Sequence, residues 1–277
     1  FEAMLAYNHR WGDFGWDTSF TYSTNKNEIV ELVRNYVHPE TGVIYNVDKL
    51  ELKTNEGRGF GKAKFILKEG GTLGDLYTHA DLKRDINGNV LIDDDGNVTA
   101  VDNAGDIKLG SVLPKANLAW NNSFTYKGIN AGFLVTARLG GIVYSATQAY
   151  LDLYGVSETS AAARDAGGVW VNDRSQVNPQ SFYSVVASQS GLPTYYTYSA
   201  TNVRLQEAHI GYTIPRRWLG NVCDINVSLV GRNLWMIYCK APFDPEAVAT
   251  TNNYYQGIDY FMMPSTRNIG FNVKINF

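Results

Sequence analysis

The last eleven residues, Arg267 to Phe277, constrain this chain more than any other stretch. Ile269, Phe271, Val273, Ile275 and Phe277 share one parity, while Asn268, Gly270, Asn272, Lys274 and Asn276 share the other. Successive side chains point to opposite faces of a strand. The segment therefore reads as an amphipathic strand, apolar on one face and polar on the other, that runs to a terminal aromatic. Two settings accept such a strand: the lipid-facing wall of a transmembrane β-barrel and the last strand of a soluble sandwich.

Composition narrows the class. No run of about 18 apolar residues exists, so no transmembrane helix is expected. With 18 Tyr, 12 Phe, 6 Trp and 26 Gly in 277 residues, the chain is aromatic-heavy and turn-rich, which favours all-β structure. A net charge of −3 without a basic cluster excludes nucleic acid as an expected partner. The chain opens at Phe1 with neither Met nor a basic-then-apolar run, and is read as a piece of a longer exported chain. Cys223 and Cys239 lie along one predicted strand. Fully extended, the span between them is about 50 Å, beyond disulfide reach, so two free thiols are expected.

Nine segments carry strand-like alternation: 2–11, 14–25, 60–68, 72–82, 116–126, 130–141, 200–213, 223–236 and 266–277. Alternation is poorest in 72–82. Phe14, Trp16, Phe20 and Tyr22 oppose Asp17, Ser19, Thr21 and Ser23, and Leu118, Trp120, Phe124 and Tyr126 oppose Asn117, Asn121, Ser123 and Thr125. Several segments have the length of about 9–11 residues that a tilted membrane strand needs. The connections alternate in length. Short ones fall at Gly12-Asp13, 69–71, 127–129 and 214–222, and long ones at about 26–59, 83–115, 142–199 and 237–265. That rhythm matches the short periplasmic turns and long extracellular loops of a membrane barrel. Structureless loops of such length are improbable in a compact soluble domain. Trp11, Trp16, Tyr126, Tyr212, Trp218 and Phe277 all fall near the short-turn ends, as an interfacial girdle would.

Two other features are read from the residues. Gly231-Arg232-Asn233-Leu234 is expected near the outer end of a rising strand. There Arg232, on the parity of Asp224, Asn226 and Ser228, faces the polar side and is placed to pair with a plug or with loop carboxylates. Phe243-Asp244-Pro245-Glu246 is expected to fix the base of the last long loop, because the residue before proline is held extended or in a turn.

Other chemistry is thinly supported. His9, His38, His79 and His209 have no zinc-site spacing. No Gly-x-Ser-x-Gly elbow occurs. Gly57-Arg58-Gly59-Phe60-Gly61 is followed by no helix pattern, which argues against a phosphate cradle. Asp93-Asp94-Asp95-Gly96-Asn97 fails as an EF-hand loop because its twelfth position is Ala104. Ile86-Asn87-Gly88-Asn89-Val90 and Asp95-Gly96-Asn97 read instead as tight turns in a hairpin. No enzyme activity, cofactor or metal is expected.

Val203-Arg-Leu-Gln-Glu-Ala-His-Ile-Gly-Tyr-Thr-Ile-Pro215 with Arg216-Arg-Trp-Leu219, then Val227-Ser-Leu-Val-Gly-Arg-Asn-Leu-Trp235, Phe243–Glu246 and Pro264-Ser-Thr-Arg-Asn-Ile-Gly-Phe271, resemble in order and spacing the C-terminal end of the SusC/RagA family of TonB-linked outer-membrane proteins. Gly110–Pro114, Trp120–Gly128 and Trp16–Lys26 resemble it too. The resemblance implies an antiparallel transmembrane barrel of about 22 strands with a plugged lumen. This chain, residues 1–277, would supply its last nine or so strands, with the plug and roughly the first thirteen strands absent. It implies nutrient import across a Gram-negative outer membrane, with a TonB complex, a SusD-like surface lipoprotein as lid, the barrel-assembly machinery and membrane lipid as partners, and a glycan or oligopeptide as cargo. Gly231, Arg232, Asn233, Leu234, Phe243, Asp244, Pro245 and Glu246 would be family signature residues. Gly270, Val273, Ile275 and Phe277 would form the assembly signal.

Trp170, Tyr195, Tyr196, Tyr198, Tyr254, Tyr255 and Tyr260, with Tyr183 and Phe261 nearby, are candidates for contact with cargo or lid, since sugar sites favour aromatic platforms. The same residues also fit packing between loops. A soluble carbohydrate-binding sandwich, or another structural or adhesive module, would explain the aromatics but not the short–long rhythm. A passive porin is a third reading.

Overall fold

The structure, a computed structural model, describes residues 1–52, 62–172, 175–248 and 256–277. Its frame is one seven-stranded antiparallel sheet: β1 (Glu2–Trp11), β2 (Phe14–Ser23), β3 (Ala116–Tyr126), β4 (Ile129–Leu139), β5 (Asn202–Ile214), β6 (Asp224–Cys239) and β7 (Asn268–Asn276). Spatial order follows chain order. The sheet is not closed, because β1 and β7 each have one neighbour in it.

Register builds the two faces. Leu5 pairs with Phe20, Phe20 with Trp120, and Trp120 with Val135. Val135 pairs with Leu205, and Leu205 with Trp235. Lower down, Ala131 pairs with Ile210, Ile210 with Leu229, and Leu229 with Phe271. Cross-strand partners share a face, so each apolar parity continues into the next and the sheet has one aromatic and aliphatic side. That side is bare: Leu5 is 75% exposed, Ile210 58%, Leu229 55% and Phe271 81%. The other side carries Asn8, Asp17, Ser123, His209, Glu207, Arg232 and Lys274. It pairs them across strands, Arg232 Nε to Glu207 Oε2 at 3.0 Å and Asn8 Nδ2 to Asp17 Oδ1. At Gly132 an added Cβ would lie 2.6 Å from the His209 ring, so only glycine leaves room for that imidazole.

Tight turns close one end of the sheet. Lys127 and Gly128 both hold positive φ, the geometry of a two-residue hairpin loop that twists with its strands. Residues 12–13 and 215–223 make the other two, the latter with a short 3-10 turn at Arg216–Trp218. The other end carries three long connections, 24–115, 140–201 and 240–267.

The wall has seven strands where nine were expected. Segments 60–68 and 72–82 belong to the first long connection. Within them, Ala63–Lys68 and Asp75–Thr78 form a separate four-stranded sheet with Lys49–Glu51 and Ile107–Ser111. Ala63, Phe65 and Ile66 are buried, as is every residue of Asp75–Thr78. These strands are covered on both sides, so their apolar runs do not report a lipid face. Turn 69–71 is accordingly a turn inside this connection. The mistaken strands form a hairpin, so removing both leaves the direction of every later strand unchanged.

The long connections are folded, not structureless, and not purely β. Among the described residues of 140–201 lie three α-helices: α1 (Ala146–Leu153), α2 (Glu158–Asp165) and α3 (Pro179–Val186). Ser145, Ser157 and Asn178 cap their N-termini through side-chain oxygens. At eight residues each they span about two turns, too short for a 3.6-residue period to stand out. One apolar core joins all three connections, with Phe65, Leu76 and Val112 from the first, Tyr144, Phe182, Val186 and Leu192 from the second and Ile258 from the third. Ile142–Ser145 pairs with Thr197–Ser199 and, in parallel, with Ile258–Asp259, stitching the second connection to the third. The turns expected at 86–90 and 95–97 are present. Asp85 and Asp93 each accept backbone N–H groups two and four residues on. Gly57–Gly61 lies outside the described residues.

Candidate functional site

The rim where the wall meets the loop cap gathers the densest polar contacts, and Arg204 of β5 is their hub. Its side chain is 5% exposed. Nη2 donates to Asp244 Oδ1 at 2.7 Å and Nη1 to Oδ2 at 3.1 Å, a bidentate pair. Glu246 Oε2 lies 3.2 Å from Nη2. Nε donates to Asn202 Oδ1, and Nη1 also reaches Asn233 Oδ1. Two carboxylates and two amides thus neutralise and saturate one buried guanidinium.

The local sequence explains the convergence. Asn233 sits at φ +51 where the β5–β6 register shifts, a bulge that a small polar residue tolerates. The bulge turns its amide toward Arg204 and lets Nδ2 donate to the Thr266 carbonyl ahead of β7. Leu234 packs over Gly231, where an added Cβ would lie 2.6 Å away. Asp244 Oδ1 accepts the Glu246 N–H across Pro245, fixing that turn. Phe243 meets Tyr198 edge to face at 5.6 Å. Burial raises the Asp244 carboxyl, but the hydrogen bonds from Arg204, the Glu246 N–H and Ser265, with the Arg204 charge, outweigh it and hold the group below its usual range.

Gly231–Leu234 lies in mid-strand rather than near the strand's outer end, because β6 runs on to Cys239. Arg232 does face the polar side, but its partner is Glu207 on the neighbouring strand. The arginine that takes the loop carboxylates is Arg204. Sequence reasoning quoted it without a role. The available signal was its parity, shared with Asn202 and Glu207 once the bulge is counted.

The aromatic candidates separate by environment. Tyr196 is 2% exposed and belongs to the cap core. Its hydroxyl, like that of Tyr198, is pushed well above the usual phenol range, first by burial and then by the Asp152 charge. Both remain neutral donors at ordinary pH. Asp152 is itself buried and accepts from Gln148 Nε2 and the Ser157 hydroxyl. Tyr195 packs edge-on to Phe182. Tyr260 meets Phe261 and Tyr150 edge to face. Trp170 stands 61% exposed. Tyr254 and Tyr255 lie outside the described residues. A cleft of about 250 Å³ opens between α1, α2 and α3, lined by Asp152, Tyr154, Arg164, Gln180 and Tyr183. Among the described residues no group of three or more His, Cys, Asp or Glu side chains is placed to hold a metal ion, and Cys223 and Cys239 are free thiols.

No protein-family model matches the chain. It is 25% identical over 289 residues to TonB-dependent receptor P3 of Formosa agariphila, covering 95% of this chain and 27% of that protein. It is 22% identical over 298 residues to TonB-dependent receptor P39 of the same organism, covering 95% and 28%. Solved structures match its fold, among them two of a peptide transporter. The RagAB peptide importer in the "closed-closed" state superposes with a TM-score of 0.63 and 16% identity, covering 99% of this chain and 29% of that one. A second structure of the RagAB peptide transporter gives 0.64 and 16%, covering 100% and 29%. The chain thus spans somewhat over a quarter of the length of the receptors it matches. The resemblance carried by the sequence is borne out as a likeness: the chain matches a partial segment of TonB-dependent receptors in sequence and of the RagAB peptide importer in fold.

Proposed function

We propose that this segment of TonB-dependent receptor forms part of the outer-membrane barrel wall of a nutrient importer, with its long connections facing the cell exterior. The observation that carries the reading is the bare apolar face of the seven-stranded sheet, backed by a polar face, with tight turns at one end and a folded cap at the other. A soluble protein would cover such a face with a second layer. Lipid covers it without one. The strand edges at β1 and β7 would pair with the rest of a barrel of about 22 strands around a plug, since an open edge in lipid leaves backbone groups unpaired. Trp11, Phe14, Tyr126 and Trp218 at the tight-turn end would sit at the periplasmic interface.

Energy would come from a TonB complex through the rest of the protein, and a SusD-like surface lipoprotein would lid the cap. The cargo would be a glycan or an oligopeptide. The fold match to a protein titled a peptide importer favours the oligopeptide. A soluble carbohydrate-binding sandwich has no account of the bare face.

Two measurements on the complete protein test this. An assembled barrel migrates faster on unboiled than on boiled gels and partitions into detergent. Cells carrying it should take up short oligopeptides or oligosaccharides in a TonB- and lipoprotein-dependent manner. A protein recovered in the aqueous phase with one gel mobility would overturn the barrel. Uptake indifferent to TonB would leave a passive pore instead.

A further inference from the structure

We propose that Arg138 recognises a carboxylate on the cargo, in a niche of the polar wall just beneath the loop cap. This rests on the import reading above. Arg138 is the penultimate residue of β4, on the polar face, in register with Asn117 of β3 and Asn202 of β5. Thr21, Ser23, Asn117, Thr136 and Glu246 surround it in a pocket of about 240 Å³. One terminal nitrogen, Nη2, donates to the Val112 carbonyl at 2.8 Å. That contact pins the guanidinium against the first long connection. Its Nε is shielded from solvent and has no hydrogen-bond partner.

The contrast with Arg204 on the next strand sharpens the point. Arg204 takes both Asp244 and Glu246 within 3.2 Å. Among the described residues Arg138 forms no ion pair; the charge of Glu246 reaches it across the niche but is engaged with Arg204, so the rim holds one saturated guanidinium and one that is held in place without an anion of its own. A cation withdrawn from water without an anion is costly. Arg138 is half-buried and shares Glu246 with Arg204, so an acceptor entering the niche would offset that cost.

The chemistry selects the acceptor. One guanidinium with a single hydrogen bond made and an unpartnered Nε has donor capacity left for one carboxylate. Glu246 stands on the niche wall, half-exposed even though it leans on Arg204. It disfavours a doubly charged phosphate and accepts from a donor placed beside the carboxylate. Ser23, Asn117 and Thr136 supply neutral hydrogen-bonding groups around it. A peptide carboxylate and the carboxylate of an acidic sugar share this chemistry. The position at the loop-bearing rim, roofed by Val112 and Glu246 from two connections, puts the niche where cargo first meets the wall. A plug carboxylate is the competing occupant.

The test uses the complete receptor with its lipoprotein, as wild type, Arg138→Gln and Arg138→Lys. The probes are radiolabelled N-acetylated trialanine and its neutral C-terminal amide, and trigalacturonate with neutral galactotriose. Arg138→Gln should weaken binding of a carboxylate probe by ~10–100-fold, the range for hydrogen bonds to a charged group. Binding of its neutral counterpart should hold, and Arg138→Lys should recover part of the loss. A response to trialanine identifies a peptide source, and a response to trigalacturonate a glycan source. Several outcomes overturn the proposal: no carboxylate preference in the wild type, equal losses for charged and neutral probes, or no loss at all. A plug that becomes protease-sensitive in Arg138→Gln while probe discrimination survives would assign Arg138 to plug latching. Neutral probes still imported by the wild type would leave the import reading standing, whereas binding of none of the four would sink both.

Discussion

Arg204, on a wall strand, and Asp244, 40 residues further along in a loop, face each other through paired contacts of 2.7 and 3.1 Å. The third long connection is thereby tied to β5 by charge, while β6 and β7 bracket it covalently. Asp244→Ala removes one partner and leaves a buried guanidinium with only Glu246 and amides. The expected local cost is about 3–5 kcal/mol, as for other half-broken buried pairs. Hydrogen exchange should quicken across 240–248 and 256–267 while the wall strands stay protected. The double change Arg204→Met with Asp244→Leu should restore most of that protection. If Asp244→Ala exchanges like wild type, the pair contributes nothing to holding the loop.

Acid should release the same clamp late. The folded Asp244 carboxyl is held below its usual range, while an unfolded aspartate titrates near ~3.9. A depressed folded value means the contribution is complete above that unfolded value and is lost as pH falls through the lower folded one. Pepsin cleavage in 240–248 should therefore stay slow down to roughly pH 4 and rise below it. Release between neutrality and about pH 5 would show that another group controls the loop.

Val273 pairs with Val227 on the apolar face, and Asn272 pairs with Ser228 on the polar one. A cation facing mid-bilayer costs about 2–4 kcal/mol, and a lumen position tolerates it. Val273→Arg should lower the amount of heat-modifiable barrel, and Asn272→Arg should not. Equal yields from both would invert or abolish the assigned faces.

Accessibility tests the direction of the strands. Ile86 and Val156 lie in the cap at 101% and 69% exposure, and Asn221 lies in the exposed 215–223 turn. Ser190 also lies in the cap but is fully buried and would be a poor reporter. Cysteines at 86 and 156 should react with a membrane-impermeant reagent on intact cells, and one at 221 should not. Labelling only at 221 would turn the molecule over.

Deleting Phe277, which is 86% exposed beyond the end of β7, should reduce outer-membrane levels and spare transport by the barrels that do assemble. Normal levels with lost uptake would move Phe277 from assembly to import.

The wall strands were legible because alternation at period two is strong when one face of a sheet is apolar and the other polar. Phe20, Trp120 and Leu229 declared it residue by residue. The Ala63–Lys68 and Asp75–Thr78 pair deceived the same rule, since an apolar run covered on both sides looks like a membrane face in sequence. The short helices left only cap residues such as Ser145 and Asn178 as traces. At the rim, the Gly231–Leu234 and Phe243–Glu246 motifs were visible but their meeting point was not. The bulge at Asn233 shifts parity by geometry, and no linear pattern reveals that Arg204 is where they converge. Arg138 was invisible for a related reason: that its nearest carboxylate, Glu246, is engaged with Arg204 is a property of its neighbours.

The shared core of the three connections bears on how such a receptor can diversify. Phe65, Tyr144 and Ile258 come from different loops yet occupy one packed interior, so no loop is an independent cassette. Grafting a single loop from a relative would set foreign side chains against two native ones and open voids or clashes at each seam. Cargo preference should therefore be inherited in blocks. Recombination breakpoints would be tolerated in the tight turns at 12–13, 127–128 and 215–223, which lie outside the shared core, and selected against inside the cap.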